Sequence, residues 1–366
     1  MLARVPATRY PTPHAAPATG LHEDDAGMSG GVKPFDAEGS AVAVAHANVA
    51  LVKYWGKRDE RLNLPAVGSI SLTLAGLRAI ATVRERHGEE PRFSQDGRAV
   101  PGVAGERMAR FLDFVAGNAS PPLATSVEAN FPVGAGLASS AAIFCAVAAA
   151  SLSVLRRRVS LAELSAIARQ GSGSAARSVH GGLVEWHRGV AADGSDSIAT
   201  QILRDDQWPL ALLVAVTSEG MKKHPSRDAM RHVAATSPLY SGWLDAQEDD
   251  LRAMRAAIAV RDLHEVGRIA EENCLRMHAT GFAARPPVVF WTPATMAAME
   301  AVRELRDGGT GAWFTIDAGP QVKVLCRPDD ADVVAGRLRA VPGVLRVMRS
   351  GSGPGVAMQQ GEAPWI

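Results

Sequence analysis

The sequence predicts an α+β fold in two domains, and three observations carry that reading. Strand and helix patterns interleave along the 366 residues instead of separating into blocks. Several strands read as antiparallel, above all Ala312–Asp317 and Val322–Cys326, which alternate in period two around Ala318-Gly319-Pro320. The polar stretch Asp206–Pro209 precedes a fresh continuous apolar run and makes a natural boundary. The chain is therefore divided into an extension over residues 1–39, a first domain over 40–205 and a second over 206–366.

The extension mixes Pro, Gly, Thr, His and acidic residues without periodicity and is expected to be mostly disordered. Ala41–Asn48, small and apolar, reads as the first strand. Ser69–Leu74 and Arg78–Arg84 read as two more, the second by its alternation. Glu106–Val115 is a helix. Thr125–Ala129 is a strand entering the glycine loop Pro132–Gly136. Ala138–Leu155 is a helix so rich in alanine that it must be buried on most sides. Ser160 opens the next, with Glu163 at capping-box spacing. In the second domain, Leu210–Thr217 is an apolar run suited to a central strand. Leu244, Leu251, Met254 and Ile258 mark one helix face, and Val266, Ile269, Ala270, Asn273 and Met277 the next. Thr292-Pro293 is an N-cap with proline in the first turn of a helix to about Leu305. Asp330–Ala340 is a short helix and Val344–Met348 a last strand.

Composition narrows the function. Lys and Arg number 39 against 38 Asp and Glu, a balance that gives no basic face for a nucleic-acid partner. Any anion site must be local. Cys145, Cys274 and Cys326 are far apart, read as buried thiols of a reducing cytoplasm, and show no metal spacing. No metal cage of protein ligands alone is legible. The longest apolar run, Ala141–Ala150, is ten residues, whereas a membrane span needs roughly 20.

Five segments carry chemistry. The first is Phe131-Pro132-Val133-Gly134-Ala135-Gly136-Leu137-Ala138-Ser139-Ser140, where small residues let a backbone approach an anion and a following helix aims its N–H groups at it. Ser139 and Ser140 add hydroxyls for phosphate or phosphate-bound magnesium. A tight strand-to-helix turn explains the loop alone equally well. It matches neither the Walker pattern nor a dinucleotide fingerprint. The second is Lys53-Tyr54-Trp55-Gly56-Lys57-Arg58, a clamp for a polyanion or a solvated basic loop. The third, Gly171-Ser172-Gly173-Ser174-Ala175-Ala176-Arg177-Ser178, offers N–H groups, hydroxyls and an arginine fork. A flexible linker is the alternative, which Ala175, Ala176 and the following apolar Leu183-Val184 make less attractive. The fourth is Lys222-Lys223-His224-Pro225-Ser226-Arg227, a phosphate contact or an exposed helix start. The fifth is Asp317 before Ala318-Gly319-Pro320, a position at which an aspartate normally caps the turn. Four phosphate-friendly segments and one lone aspartate together suggest phosphoryl transfer between two anionic ligands.

In this order, and together with Asn48, Ser69–Leu74, Gly181-Gly182, Met230, Thr236-Ser237-Pro238, His278-Ala279-Thr280 and Phe314–Pro320, these segments closely resemble the diphosphomevalonate decarboxylase family. The resemblance runs from about residue 41 to 353. The glycine–serine loop marks only the wider superfamily of galactokinase, homoserine kinase and mevalonate kinase. The Lys-Tyr-Trp-Gly-Lys, Gly-Ser-Gly-Ser-Ala-Ala-Arg-Ser and Asp-Ala-Gly-Pro segments together mark the decarboxylase branch.

The resemblance implies a two-domain GHMP-kinase fold, with an N-terminal domain like domain 2 of ribosomal protein S5, a ferredoxin-like C-terminal domain and the active site in the cleft. It implies ATP as co-substrate, Mg²⁺, mevalonate 5-diphosphate as small-molecule substrate, and a homodimer. By the same carry-over, Asp317 orients the substrate's C3 hydroxyl, Lys53 stands by it and Arg177 holds the carboxylate end. Tyr54, Lys57, Ser174, Ser226 and Arg227 bind substrate, its diphosphate above all. Gly134, Gly136, Leu137, Ala138, Ser139 and Ser140 bind ATP, the two serines also reaching the metal. Val67-Gly68-Ser69 stands where the family commonly has Asn-Ser-Ser, a segment put on the nucleotide side, so Asn-Ser at Val67-Gly68 is expected to tighten ATP binding. The rival readings are a decarboxylase of mevalonate 5-phosphate, a mevalonate 3-kinase that stops after phosphorylation, and a non-catalytic binding protein. The last should have lost Asp317, Lys53 or Arg177, and all three are present.

Overall fold

The computed structural model describes residues 39–117, 120–131, 139–220 and 224–366. The expected extension therefore lies outside the described residues, apart from Gly39. In chain order the first half holds β1 (Ser40–Val52), β2 (Lys57–Asp59), β3 (Leu64–Pro65), β4 (Ser69–Glu85), β5 (Phe93–Gln95), β6 (Arg98–Ala99), α1 (Gly102–Ala116), β7 (Leu123–Ala129), α2 (Ser139–Val154), α3 (Leu161–Gly171), a 3-10 turn over Gly173–Val179, β8 (Leu183–Trp186) and β9 (Ala199–Leu203). The second half holds β10 (Ala211–Val216), α4 (Ser226–Thr236), α5 (Tyr240–Ala259), α6 (Leu263–Phe282), α7 (Pro293–Asp307), β11 (Ala312–Ile316), β12 (Val322–Cys326), α8 (Ala331–Arg339), β13 (Arg346–Gly351) and β14 (Ala357–Gln360).

Two large sheets and a two-stranded β2–β3 ladder organise the described residues. The larger runs β14-β1-β4-β7-β5-β6, with β8 beside β4 and β9 beyond it. All of its pairs are antiparallel except β5 with β7. The smaller runs β11-β12-β10-β13, antiparallel throughout. The predicted strand–turn–strand unit is thus a register-matched pair, with Thr315 opposite Lys323.

Local chemistry accounts for the elements that set up the site. Alanine and other small residues bury α2 on nearly every face, so it packs closely against β1 and β4. The capping boxes of α3 at Ser160 and of α7 at Thr292 form as their spacing predicts. On α6 the expected face is buried, and the helix lies against β11 and β1.

Two expected strands prove to be one. β4 continues through Ala75–Leu77 because the Asn130 side chain accepts from Arg78 N–H at 2.9 Å and donates to the Gly76 carbonyl at 2.9 Å. That bridge carries the backbone polar groups past a register shift against β1. Cys145, Cys274 and Cys326 are buried free thiols. Among the described residues no helix is long and apolar enough to cross a membrane.

Candidate active site

The site is a cleft of about 420 Å³ whose walls come from the ends of β1 and β11, the 3-10 turn, α1, α2, α4 and α6. Lys53 directly follows β1. Its backbone N–H donates to Asn273 Oδ1 at 2.8 Å, tying the end of β1 to α6. Its Nζ donates to the Ala50 carbonyl at 2.9 Å and to Asp317 Oδ1 at 2.7 Å.

Asp317 follows β11. The turn after it is closed by its backbone, the carbonyl accepting from Gly319 N–H at 2.7 Å. The carboxylate is therefore spared from turn capping, and it meets Lys53 on one oxygen and Lys323 on the other. Burial alone would raise its pKa. The Lys323 and Lys53 ammonium groups outweigh that and hold it well below the usual carboxylate range. The residue before it is fixed by α6: Ile316 N–H donates to Cys274 Sγ at 3.0 Å, and its carbonyl lies 3.2 Å from His278 Nε2. Burial pushes His278 down to about 3, so the ring is neutral and Nε2–H donates.

Arg177 is 2% exposed and rigidly held. Its Nε and one terminal nitrogen donate to Asn48 Oδ1 at 3.2 and 3.0 Å, and the other donates to Ser69 Oγ at 2.6 Å. Asn48 is itself locked by donating to the Ser174 carbonyl and to Ser178 Oγ. These partners are neutral, so Arg177 keeps its full positive charge for the cleft. Burial lowers its pKa to about 10, still far above neutrality.

Tyr54 packs edge-on against Trp186 at 4.8 Å between ring centroids. It explains the glycine at 173, where a Cβ would sit 2.8 Å from the Tyr54 hydroxyl. Ser140, Ser172 and Ser174 form a hydroxyl chain with spacings of 3.1 and 3.3 Å, and Ser139 lies beside it in the cleft wall. Across from them Ser226 and Arg227 open α4. Lys57 pairs with Glu60 at 2.8 Å, and burial lowers its pKa.

The structure thus gathers Asp317, Lys53, Arg177, Tyr54, Lys57, Ser174, Ser226, Arg227, Ser139 and Ser140 around one cleft. Gly134, Gly136, Leu137 and Ala138, with Lys222 and Lys223, lie outside the described residues. Two residues were missed. Arg107 of α1 lines the cleft, donates to the Gly171 carbonyl at 2.5 Å and stacks 4.6 Å over Phe144. Burial, then Arg227, pushes it down to about 10. Lys323 is the second partner of Asp317. Its signal was a lysine within the apolar strand Val322-Lys323-Val324-Leu325-Cys326.

Packing bears on the expectation for Val67-Gly68. Val67 is buried in an apolar cluster with Trp55 and Trp243, and a Cβ on Gly68 would sit 2.9 Å from a Leu251 methyl. Neither lines the cleft. An asparagine at 67 would bury an amide among apolar groups, at a cost of about 1–3 kcal/mol, a cost that any gain in ATP binding would have to offset.

Among the described residues, Lys53, Lys57, Arg107, Arg177 and Arg227 line one cleft together with the single carboxylate of Asp317. That imbalance suits two polyanions bound side by side, with a carboxylate at their junction. Two family models match this chain: a diphosphomevalonate decarboxylase-like N-terminal domain over residues 45–199 and a mevalonate 5-diphosphate decarboxylase C-terminal domain over 212–349. A diphosphomevalonate decarboxylase of Aspergillus fumigatus is 34% identical over 325 residues, covering 83% of this chain and 80% of that one. Mevalonate diphosphate decarboxylase from Staphylococcus aureus superposes with a TM-score of 0.82 at 35% identity, covering 88% of this chain and 98% of that one. A complex of MDDEF with MVAPP, AMPPCP and magnesium gives a TM-score of 0.82 at 35% identity, covering 88% of this chain and 99% of that one.

Proposed function

Because the chain belongs to the diphosphomevalonate decarboxylase family, we propose that its cleft converts (R)-5-diphosphomevalonate and ATP into isopentenyl diphosphate, ADP, phosphate and CO₂, with Asp317, Lys53 and Arg177 at the reacting centre. The chain has the GHMP-kinase-type fold of its relatives and is an ATP-dependent decarboxylase of the mevalonate pathway. One observation carries the assignment of the reacting centre: Asp317 is paired to Lys53 in the wall of a cationic cleft, 264 positions away in sequence.

The chemistry follows from these groups. A tertiary hydroxyl is a poor nucleophile and must be oriented. Asp317 accepts its hydrogen bond, and Lys53 stands at the junction where phosphoryl charge develops. In a loose phosphoryl-transfer transition state the hydroxyl proton need not leave early, so an ionised but weakly basic carboxylate suffices to aim it. The C3 oxygen bonds to the γ-phosphorus as the bond from that phosphorus to ADP breaks and ADP leaves, and the hydroxyl proton moves late, past Asp317, to an oxygen of the transferred phosphate. The C3–O bond then breaks, phosphate taking the electron pair. The C1–C2 pair becomes the C2=C3 double bond as CO₂ departs. Arg177 holds the C1 carboxylate until then, and the bound anions tolerate the positive charge that builds at C3.

Tyr54, Lys57, Ser174, Ser226 and Arg227 are assigned to the substrate, with Arg107 beside them, and Ser139 and Ser140 to the ATP phosphates. Mg²⁺ would be held at Ser139 and Ser140 together with phosphate oxygens, and its chemistry there is to neutralise phosphate charge. The hydroxyl donors fit such an ion, and among the described residues no group of three His, Cys, Asp or Glu offers a competing cage.

CO₂ and ADP are expected in equal amounts, with the 5-diphosphate strongly preferred over mevalonate and its 5-phosphate. Comparable turnover of the monophosphate would move the assignment to the rival decarboxylase, and ADP without CO₂ to a 3-kinase. The resemblance further supports a homodimer, and the free buried thiols suit a reducing cytoplasm. Light scattering should return twice the chain mass; the mass of a single chain would remove the dimer.

A further inference from the structure

Asp317 is held from both sides by residues on different elements. Lys53 Nζ, at the end of β1, lies 2.7 Å from Oδ1, and Lys323 Nζ, on β12, lies 3.1 Å from Oδ2. Lys323 is 1% exposed, and every residue of β12 is buried. A strand packed on both faces would be served better by a valine or methionine, because removing an ammonium group from water costs several kcal/mol. That cost calls for a use. The Asp317 carboxylate that Lys323 meets retains 24% exposure into the cleft.

We propose that Lys323 is a positioning residue for the reaction: it pins the second oxygen of Asp317, fixing the plane of the carboxylate and balancing its charge while that carboxylate aims the C3 hydroxyl. This rests on the reading of Asp317 given above. A carboxylate tied at one oxygen can still turn about its Cβ–Cγ bond. Tied at both oxygens from two elements, it is triangulated. An ionised carboxylate has about four acceptor sites, so the two lysines leave room for the hydroxyl.

The remaining groups around the pair cannot replace Lys323. From α6, Cys274 is a buried thiol and His278 a neutral ring. From the 3-10 turn, Arg177 is committed to Asn48 and Ser69. Only Lys53 would remain on the carboxylate. Burial lowers the pKa of Lys323 itself, and Asp317 opposes that loss.

The test is steady-state CO₂ release by Lys323→Met over a range of pH, with melting temperature recorded. kcat should fall about 10²-fold, the cost of roughly 1 Å of misplacement. The Michaelis constants of both substrates should stay within about threefold, because the lost interaction serves the reacting group and not ground-state binding. The acid limb of kcat should move to higher pH, since a carboxylate with one cation fewer takes up a proton more readily. If Lys323→Met does not fold, Lys323→Gln, which keeps a donor but not the charge, decides by the same two readouts. Unchanged kcat and pH profile in a folded variant overturns the proposal. So does a loss of melting temperature with raised Michaelis constants and the acid limb in place, which marks a merely structural lysine. Wild-type enzyme that releases no CO₂ from the diphosphate overturns the reaction assigned to the cleft, and that failure appears without any variant.

Discussion

Asp317→Asn is expected to lower kcat by about 10²–10⁴-fold with substrate Michaelis constants near normal, and to lower the melting temperature because buried Lys53 and Lys323 lose their counter-charge. Asparagine keeps the size and one acceptor oxygen, and the turn will still close because it uses the Asp317 backbone carbonyl and Gly319 N–H. What disappears is the charge between Lys53 and Lys323. The loss has a signature beyond its size. Lys53→Met should also lower kcat, and the double variant should fall short of the summed effects, because one ion-paired unit is being dismantled twice. A folded Asp317→Asn protein with near-normal CO₂ release would sink the mechanism.

Arg177→Met should lower kcat/KM by about 30-fold to several-thousand-fold, the equivalent of about 2–5 kcal/mol for truncating one partner of a buried charge-assisted contact. It should also cost about 1–3 kcal/mol of stability, because Asn48 Oδ1 and Ser69 Oγ lose a buried donor. Arg177→Lys separates the two effects. It keeps the charge but not the fork that reaches both partners, so stability should recover less than activity. Urea unfolding beside the kinetics checks this. Full activity in Arg177→Met would remove it from the reacting centre.

Periodicity and capping made most helices and the β11–β12 pair legible, since each is set by neighbours a few residues away. Short strands escaped. β8, β9 and β14 are four or five residues long and owe their state to pairing with distant partners. The 3-10 turn over Gly173–Val179 looked like a loop of small residues, and only the close approach of Tyr54 shows why they must be small. In the site, Lys53, Arg177 and Asp317 were legible through resemblance, but their bonding was not. A sequence does not show that Asp317 leaves its turn to backbone hydrogen bonds and turns its carboxylate to two lysines. Arg107 escaped because a helix face of mixed polarity looks the same whether an arginine points to water or into a cleft.

The β14 strand lies along β1 through Val42↔Gln360, Ala43↔Met358 and Val44↔Ala357, so the edge of the sheet that delivers Lys53 is covered by residues synthesised long after it. At about 5–20 residues per second, a nascent chain spends roughly 15–60 s between making β1 and making its cover. During translation that edge presents unpaired N–H and C=O groups beside alternating buried alanines, the pattern most open to joining a neighbouring chain. Lys53 likewise waits for Asp317. The length of that exposure is set by how far apart in the chain the pairing partners lie.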